Sequence, residues 1–268
     1  MFFSIIIPTC NRNDLLATCL DKLHTTVQNF PANDYEVIVT DDSYNNLAQQ
    51  FIANNYDWVK WVSGPKRGPA SNRNNGAKHA KGDWLLFLDD DVTPDSTIIN
   101  NYLSVLNQHP KIKVFEGYVN ADRPRQRFDE ESPINTSGGN LWSCNFLIER
   151  ELFFDLNGFD ETFPYAAMED IDFHQRIKNR ALTIHFVEKC KVIHPWRRVV
   201  AFKTIKKHFR SHRHFKKLHY NTLDYRWMRF KVFLGSFYPM LKELIKYKFK
   251  GYLLLIDRTL LNFVLIFA

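Results

Sequence analysis

The chain has 268 residues, enough for one large domain, or one domain with an appended segment, and enough to bury a hydrophobic core. Its four cysteines show no CxxC spacing, which argues against a zinc module or a disulfide framework and favours a reducing compartment. The net charge of +7 is uneven: residues 197–268 carry 17 Lys and Arg against 3 Asp and Glu, whereas residues 1–196 carry 19 against 26. The chain therefore combines an acidic front with a basic tail.

The apolar N-terminus, MFFSIIIPT, lacks the basic region and the length of a secretory signal, so we expect a buried strand there. No uninterrupted run of about 18 apolar residues occurs, and the sequence predicts no spanning helix. The nearest candidate, residues 252–268, is interrupted by Asp257, Arg258 and Asn262.

Short apolar runs alternate with helical patterns through the first hundred residues, which predicts an α/β fold with a mostly parallel sheet flanked by helices. The predicted strands are 3–7, 35–40, 58–62, 83–88 and 113–119. The predicted helices are 13–27, 46–54, 70–80 and 95–108, and the polar segment 120–139 predicts a loop over the site. The second and fourth strands end on aspartates, where open α/β sheets bind nucleotides.

Three consecutive carboxylates, Asp89, Asp90 and Asp91, follow the fourth strand. Hard divalent cations prefer oxygen ligands and share substrate phosphates, so Asp89 and Asp91 are candidates for binding ribose and metal. A solvated acidic turn explains the triplet equally well when it is taken alone.

A second acidic pair, Glu169 and Asp170, stands at the start of a predicted helix. A carboxylate held there can act as a general base toward a hydroxyl, although acids also favour the first turn because of the helix dipole. Arg67 and Arg73 lie in a loop that leads into a helix, and their guanidinium groups suit phosphate oxygens. Without the acids, they would be interpreted as surface arginines.

Together and in this order, these motifs resemble the family 2 glycosyltransferases, of GT-A fold, over about residues 3–195. The resemblance is carried by residues 4–12, 39–43, 67–76, 89–91, 138–140, 157–161 and 169–172. It implies a Rossmann-like mixed sheet and an inverting transfer of one sugar from a nucleoside-diphosphate sugar, UDP-linked, to a hydroxyl. The implied acceptor is a surface polysaccharide or a lipid-linked glycan.

The resemblance also implies site residues. Those that would bind the nucleotide sugar are Pro8, Thr9, Arg12, Asp41, Asp42, Arg67, Arg73, Asp89 and Asp90. Asp91 would hold a Mn²⁺ or Mg²⁺ ion that bridges the diphosphate, Asp170 would be the general base, and Glu169 would be its neighbour. The second strand ends in Asp-Asp-Ser-Tyr instead of the family's common Asp-Asp-Gly-Ser, so both Asp41 and Asp42 are candidates for base recognition.

Two further positions have alternative interpretations. His194 follows a strand-like run, where some GT-A enzymes place a late histidine near the metal; otherwise it is a core or surface histidine. Gly139, Asn140 and Trp142 are expected to shape a pocket for the acceptor or the donor sugar, although Trp142 equally fits the core.

The sequence predicts a catalytic domain at residues 1–196 and a helical tail at residues 197–268, in which Pro239 and Gly251 separate three helices. Basic helices rich in Trp, Phe and Leu lie in membrane interfaces, so we expect a cytoplasmic protein bound peripherally to the anionic inner face of the cell membrane.

Other interpretations of the tail and of the chemistry stay open. The tail can instead form a packed helical subdomain or an oligomer interface. Nucleic-acid binding is disfavoured by the acidic front and the lack of a recognised motif. A metal-dependent nucleotidyltransferase is the enzymatic alternative, and it would release diphosphate from a nucleoside triphosphate.

Overall fold

The computed structural model describes residues 1–165, 167–203 and 205–268 of the chain, which divides into two compact units. We call the first the sheet unit; it comprises Met1–Asp122, Pro133–Glu161 and Glu169–Pro195. We call the second the tail unit; it comprises Arg123–Ser132, Thr162–Met168 and Trp196–Ala268.

The strands and helices are numbered in chain order. The strands are β1 (Phe3–Thr9), β2 (Tyr35–Asp41), β3 (Val59–Ser63), β4 (Trp84–Leu88), β5 (Thr93–Pro94), β6 (Val114–Ala121), β7 (Glu130–Glu131), β8 (Asn145–Glu149), β9 (Ile184–His194) and β10 (Arg197–Arg198). The helices are α1 (Asn13–Leu23), α2 (Thr25–Gln28), α3 (Leu47–Asn55), α4 (Pro69–Lys78), α5 (Ile98–Gln108), α6 (Arg150–Asp155), α7 (Glu169–Asn179), α8 (Ile205–His219), α9 (Thr222–Lys246) and α10 (Tyr252–Val264).

The sheet unit is built on a mixed sheet in the order β3-β2-β1-β4-β8-β6-β9-β5. Strands β1 to β4 are mutually parallel, and β6 is parallel to β9. Strand β8 runs antiparallel to β4 and β6, and β5 runs antiparallel to β9. The carboxyl ends of β1, β2, β3 and β4 therefore share one edge, as the sequence predicts.

Both faces of the sheet are covered, which explains why β1 is a continuous apolar run. Ile5 and Ile7 pack in one core cluster, with Leu16 and Leu20 of α1, whereas Ile6 packs in the cluster on the opposite face. Successive side chains of a strand point to opposite faces, so a strand covered on both sides needs apolar residues throughout.

The predicted strands are all present, with ends shifted by one or two residues. The predicted helix 13–27 is interrupted at His24, whose extended backbone ends α1 and whose side chain accepts a hydrogen bond from the Thr26 amide at the start of α2. The predicted loop 120–139 contains strand β7 and is divided between the two units.

The tail unit contains α8, α9, α10 and the antiparallel pair β7–β10. The predicted break at Pro239 is wrong, because Pro239 lies inside α9. Tyr225 and Leu244 are buried on either side of it and anchor the helix, which offsets the hydrogen bond that a proline removes. The boundary between α8 and α9 lies before Thr222 and not at Pro239. Asn221 is the N-cap of α9, and its side chain accepts a 2.9 Å hydrogen bond from the Asp224 amide.

The predicted break at Gly251 is confirmed. Gly251 has φ +92°, and a Cβ there would lie 2.6 Å from the Asp129 amide nitrogen, so only glycine fits. In the described ranges, we find no helix whose length and apolar character would suffice to cross a membrane.

Candidate active site

The candidate site lies where the parallel strands of the sheet unit end. Thr9 at the end of β1 is in register with Asp41 at the end of β2, and Asp89 directly follows β4. Pro8 and Thr9 are both buried within β1. Because these parallel strand ends meet at one edge of the sheet, the aspartates at the end of β2 and those after β4 lie near one another although they are far apart in sequence.

Asp90, the central carboxylate of the triplet, points into the protein. It is fully buried, accepts a 2.7 Å hydrogen bond from the Thr9 hydroxyl, and pairs with Arg12 Nη2 at 2.5 Å. Burial raises the pKa of Asp90 to about 7, although Arg12 and the Thr9 hydroxyl act in the opposite direction. Asp90 thus ties the loop after β4 to β1.

Asp89, Asp91 and His194 form a cluster with metal-ligating chemistry. One ligand atom from each residue lies within 4.8 Å of the others, although His194 is far from the aspartates in sequence. His194 ends β9, with Nε2 3.4 Å from Asp91 Oδ1. His194 is buried, which excludes a surface histidine; its position beside Asp91 fits both a bonded core histidine and a metal ligand.

The tautomer of His194 follows from its other ring nitrogen. Nδ1 lies 3.0 Å from the carbonyl oxygen of Pro195, and a carbonyl only accepts, so Nδ1 carries the proton. In the neutral ring, Nε2 then presents its lone pair toward Asp91. Two carboxylates and an imidazole could hold a divalent cation, and the carboxylates suit Mn²⁺ and Mg²⁺ alike. Arg12 Nη1 also lies 3.4 Å from Asp91 Oδ2 and would share that carboxylate with an ion.

Arg73 of α4 connects the triplet to the second acidic pair. Its side chain is buried, with Nη2 2.7 Å from Asp89 Oδ1 and Nη1 3.9 Å from Glu169 Oε1. Burial acts to lower the pKa of Arg73, but Asp89, Asp170 and Glu169 together raise it by a larger amount. The pKa therefore lies above its ordinary value, and the guanidinium stays charged. Arg73 is thus a buried arginine paired with the acids, and not a surface arginine.

Asp170 lies in the first turn of α7 and is held by one oxygen. Its Oδ2 accepts hydrogen bonds from the Ser143 amide at 3.3 Å and the Ser143 hydroxyl at 3.1 Å. Its Oδ1 is inaccessible to solvent and has no hydrogen-bond partner among the residues that the structure describes. Burial raises the pKa of Asp170, opposed by Arg73 and assisted by Asp89. Ser143 therefore fixes the orientation of the carboxylate through Oδ2, while Oδ1 forms no hydrogen bond to the described residues.

A cavity of about 250 Å³ opens beside Asp170. The predicted pocket residues Gly139, Asn140 and Trp142 line it. The indole N–H of Trp142 donates to the carbonyl of Ile134 at 3.3 Å, so only its ring is available to a ligand. Trp142 also packs against the core, so the structure combines both interpretations of this residue.

The opposite wall of this cavity contains residues that the sequence reasoning did not select. They are Ile171, His174, Gln175 and Lys178 of α7. Their spacing from Asp170 is helical, which could have identified them once Asp170 was chosen. Ser143 was also missed, and no signal in the sequence links it to Asp170.

The two aspartates at the end of β2 differ in what they bind. Asp41 Oδ1 accepts hydrogen bonds from the Ser43 amide (2.9 Å) and hydroxyl (2.5 Å), whereas its buried Oδ2 has no partner in the described part of the chain. Asp42 accepts from the amides of Lys66 and Gly68, both at 2.9 Å. Burial raises the pKa of Asp42, and these two amides oppose the rise. Asp41 therefore retains the free acceptor.

Arg67 and Arg12 lie at the outer part of this edge. The Arg67 side chain is 65% exposed and pairs with Glu161 at 2.8 Å, a partner that the sequence did not reveal. Arg12 lines a cavity of about 400 Å³ with Asn11 and Asn45. The geometry thus brings Arg12 and Arg73 to the carboxylates and leaves Arg67 at the surface.

Comparison with known proteins identifies relatives of this chain. Residues 4–169 match the sequence model of the family described as Glycosyl transferase family 2. A GalNAc(5)-diNAcBac-PP-undecaprenol beta-1,3-glucosyltransferase from Campylobacter jejuni is 35% identical over 121 residues, 43% of this chain and 35% of that protein. A poly(ribitol-phosphate) beta-glucosyltransferase from Bacillus spizizenii is 31% identical over 141 residues, 50% of this chain and 22% of that protein. These alignments thus span about a third or less of the relatives' lengths.

Solved structures show the same architecture. TarS from Staphylococcus aureus superposes with a TM-score of 0.62 at 22% identity, covering 80% of this chain and 64% of that one. TarS in complex with UDP-GlcNAc gives a TM-score of 0.61 at 22% identity, covering 80% of this chain and 65% of that one. At this identity the likeness concerns the fold, and it confirms the predicted GT-A fold with its mostly parallel sheet flanked by helices.

Proposed function

Because the chain belongs to glycosyl transferase family 2, we propose that it is an inverting enzyme that moves one sugar from a nucleoside-diphosphate donor to a hydroxyl. The observation that carries this proposal is the convergence of Asp89, Asp91 and His194 at the sheet edge. Arg73 links this cluster to the second acidic pair, because it bonds to Asp89, lies 3.9 Å from Glu169 and acts electrostatically on the neighbouring Asp170. The cluster would hold a metal ion, and Asp170 would act as the base.

Asp89, Asp91 and His194 would hold the divalent cation. When bound, Mn²⁺ or Mg²⁺ supplies neutralisation of the charge that develops on the departing diphosphate. Arg73 would help to neutralise the same charge. Its guanidinium is charged and already held beside Asp89, so it would not need to reorganise during the reaction. Arg12 would move from Asp91 toward the phosphates when the ion takes that carboxylate.

Asp170 would be the general base, with Glu169 beside it. Its carboxylate would accept the proton of the acceptor hydroxyl while the hydroxyl oxygen bonds to the anomeric carbon and the bond to the diphosphate breaks. Ser143 would keep the carboxylate oriented through Oδ2. A single displacement of this kind inverts the anomeric centre.

We propose UDP as the nucleotide of the donor. The unpaired Asp41 Oδ2 is suited to accept a hydrogen bond from the imide N–H of a uracil ring, and TarS has been solved with UDP-GlcNAc. Asp89 would bind the ribose, and Arg67 would lie against the base. Pro8, Thr9, Asp42 and Asp90 would shape the pocket around them.

The acceptor would be a surface polysaccharide or a lipid-linked glycan, since the names of the relatives include an undecaprenol-linked and a poly(ribitol-phosphate) substrate. Gly139, Asn140 and Trp142 would form its pocket, within a catalytic domain at residues 1–196.

Residues 197–268 would place the enzyme peripherally on the anionic inner face of the cell membrane, in the cytoplasm. In support, α9 exposes Leu223 (77%), Trp227 (59%) and Leu234 (62%) at helical spacing. Lys231 lies beside this apolar stripe, 5.1 Å from the Trp227 ring. Apolar residues flanked by lysines are typical of helices in an anionic membrane interface.

A panel of nucleotide sugars tests the donor assignment. Thermal unfolding of the full chain, with Mn²⁺ or with EDTA, should show stabilisation by UDP-sugars only when the cation is present, because a ligand that binds the native state stabilises it by mass action. Chromatography of the products should then show UDP and a new glycoside. Release of inorganic diphosphate from a nucleoside triphosphate would instead identify a nucleotidyltransferase.

A further inference from the structure

We infer that the acceptor carries an anionic group, a phosphate or a carboxylate, and that Lys178 binds this group in the cavity beside Asp170. The inference rests on the proposed function, because it names the acceptor class of the same site.

One face of α7 carries the residues on which the inference depends. Asp170, His174 and Lys178 follow each other at intervals of four residues, and all three line the cavity of about 250 Å³. Two helical turns, roughly 12 Å, separate the first Cα atom from the last. Long helical side chains lean toward the helix N-terminus, so the Lys178 ammonium comes back toward His174 and the base.

Lys178 supplies the positive charge of this cavity. Burial, and to a smaller extent Lys178, lower the pKa of His174 to about 4, so the imidazole is neutral at pH 7. Lys178 is exposed, and its ammonium forms no ion pair or hydrogen bond with the described residues. Arg176, two positions earlier, is occupied by Asp172 and by the carbonyls of Leu156 and Gly158.

Lys178 can offset the negative charge beside the cavity. An acceptor that carries a phosphate or carboxylate approaches the carboxylate of Asp170, with Asp89 acting on the same group. The anionic group of the acceptor and these carboxylates would repel each other unless a cation offsets their charges. Lys178 stands on the same helix face as the base, where it offsets that repulsion without contacting the reacting hydroxyl.

The remaining walls suit a single sugar unit between base and lysine. The Trp142 ring offers a flat apolar surface, since its N–H is already bonded to Ile134. His174 and Gln175 offer polar atoms for hydroxyl groups. The cavity volume lies below the roughly 300 Å³ at which sites for drug-sized ligands begin, so a monosaccharide unit with its charged substituent is the expected occupant.

The test measures binding of three probes that share an octyl glucoside framework and differ in the group at C6, which is neutral in one and anionic in two. These are octyl β-glucoside, octyl β-glucuronide and octyl β-glucoside 6-phosphate, titrated by saturation-transfer NMR into the full chain with Mg²⁺ and saturating UDP, which blocks the donor phosphate site. Wild-type protein should bind the two charged probes about 5- to 10-fold more tightly than the neutral one, and 0.5 M NaCl should reduce this preference because the lysine is exposed.

Three variants assign the preference to its cause. Lys178→Gln should reduce it to less than about twofold, whereas Lys178→Arg should keep most of it. The matched control is Lys78→Gln, which removes an exposed lysine from the last turn of α4 and should leave the preference as in the wild type.

The inference is overturned if wild-type protein shows no preference for the charged probes, including the case in which none of them binds, or if Lys178→Gln retains the preference. A carboxylate-only or phosphate-only preference identifies which anion the acceptor carries. Failure of wild-type protein to bind UDP with either Mg²⁺ or Mn²⁺ would contradict the proposed donor instead, so the two failures are distinguishable.

Discussion

The sheet unit buries polar side chains, whereas the tail unit leaves large apolar side chains exposed. Asp41, Arg73 and Asp90 are each less than 10% exposed in the sheet unit. Trp227 and Leu234 of the tail unit are each more than half exposed. Burying a polar group costs free energy unless it is bonded, and exposing a large apolar group forgoes the gain of burial. Each unit therefore deviates from ordinary burial in the direction that its proposed role requires.

The two units also differ in charge. Acidic groups of the sheet unit gather at one edge and are matched there by Arg12 and Arg73. The basic groups of residues 197–268 outnumber the acidic ones by 14. This contrast predicts that substitutions at the edge of the sheet change the rate of sugar transfer but not the binding to membranes. Substitutions on α9 should change membrane binding but not the rate of transfer. The following substitutions test this contrast, beginning with the largest expected effect.

Asp91→Asn should lower the rate of sugar transfer by about 10⁴-fold, because the cation loses a charged ligand and the departing diphosphate is then poorly neutralised. The affinity for the UDP-sugar, measured by calorimetry, should no longer depend on Mn²⁺. Asp57→Asn, an exposed aspartate of the same unit, is the matched control. Full turnover in Asp91→Asn would remove the metal assignment.

Asp170→Asn should lower transfer by about 100- to 1000-fold while leaving the affinity for the donor within about twofold, because only the base is lost. The amide keeps an oxygen for the Ser143 hydrogen bonds, so the fold should be unaffected. Rates under single-turnover conditions, together with donor titrations, measure the two effects separately. Unchanged transfer would move the base to another residue.

The dependence of kcat/KM on pH should show the titration of Asp170. A general base works only when ionised, and burial raises the pKa of Asp170 above the usual aspartate value of about 3.9. The rate should therefore fall about tenfold for each pH unit below that raised pKa. The acidic limb should disappear from the residual activity of Asp170→Asn, and its persistence would assign the limb to another group.

The double change Trp227→Ser and Leu234→Ser should weaken binding to vesicles of anionic lipid by roughly tenfold, since each side chain loses part of an apolar burial of about 1.5–3 kcal/mol. Sedimentation with vesicles measures the loss, and transfer to a water-soluble acceptor should be unchanged. Tyr44→Ser with Leu47→Ser removes a comparable exposed pair from the sheet unit and should leave vesicle binding intact. Equal pelleting of both double variants would reject the membrane surface on α9.

His212 should make the tail unit sensitive to acid. Burial lowers the pKa of His212 to about 3, with Arg229 and His208 acting in the same direction. The unfolded chain binds the proton near pH 6.5, so stability is present above that pH and decreases as the pH falls below it. His212→Gln should reduce the loss of unfolding free energy between pH 7.5 and 5 by on the order of 1–2 kcal/mol, measured from urea midpoints. An unchanged loss would show that other groups cause the acid sensitivity.

Much of the sheet unit could be predicted, because its signals are local. The β-branched run at β1 and the apolar strands that end in aspartates mark both the parallel sheet and its ligand-binding edge. The failed prediction at Pro239 has a physical reason, since anchoring by buried residues on both sides of a proline is not visible in a local pattern.

The alternation of strands and helices, the acids at the strand ends and the basic tail can be predicted from the sequence alone. The fold is needed to show that His194 reaches Asp91, that Ser143 holds Asp170, and that Asp41 keeps an unpaired oxygen. The contact between His194 and Asp91, for example, joins the ends of β9 and β4, which the strand order β4-β8-β6-β9 places in one sheet. Periodicity reveals which face of an element is buried, but the partner across the sheet depends on that order, which no local pattern encodes.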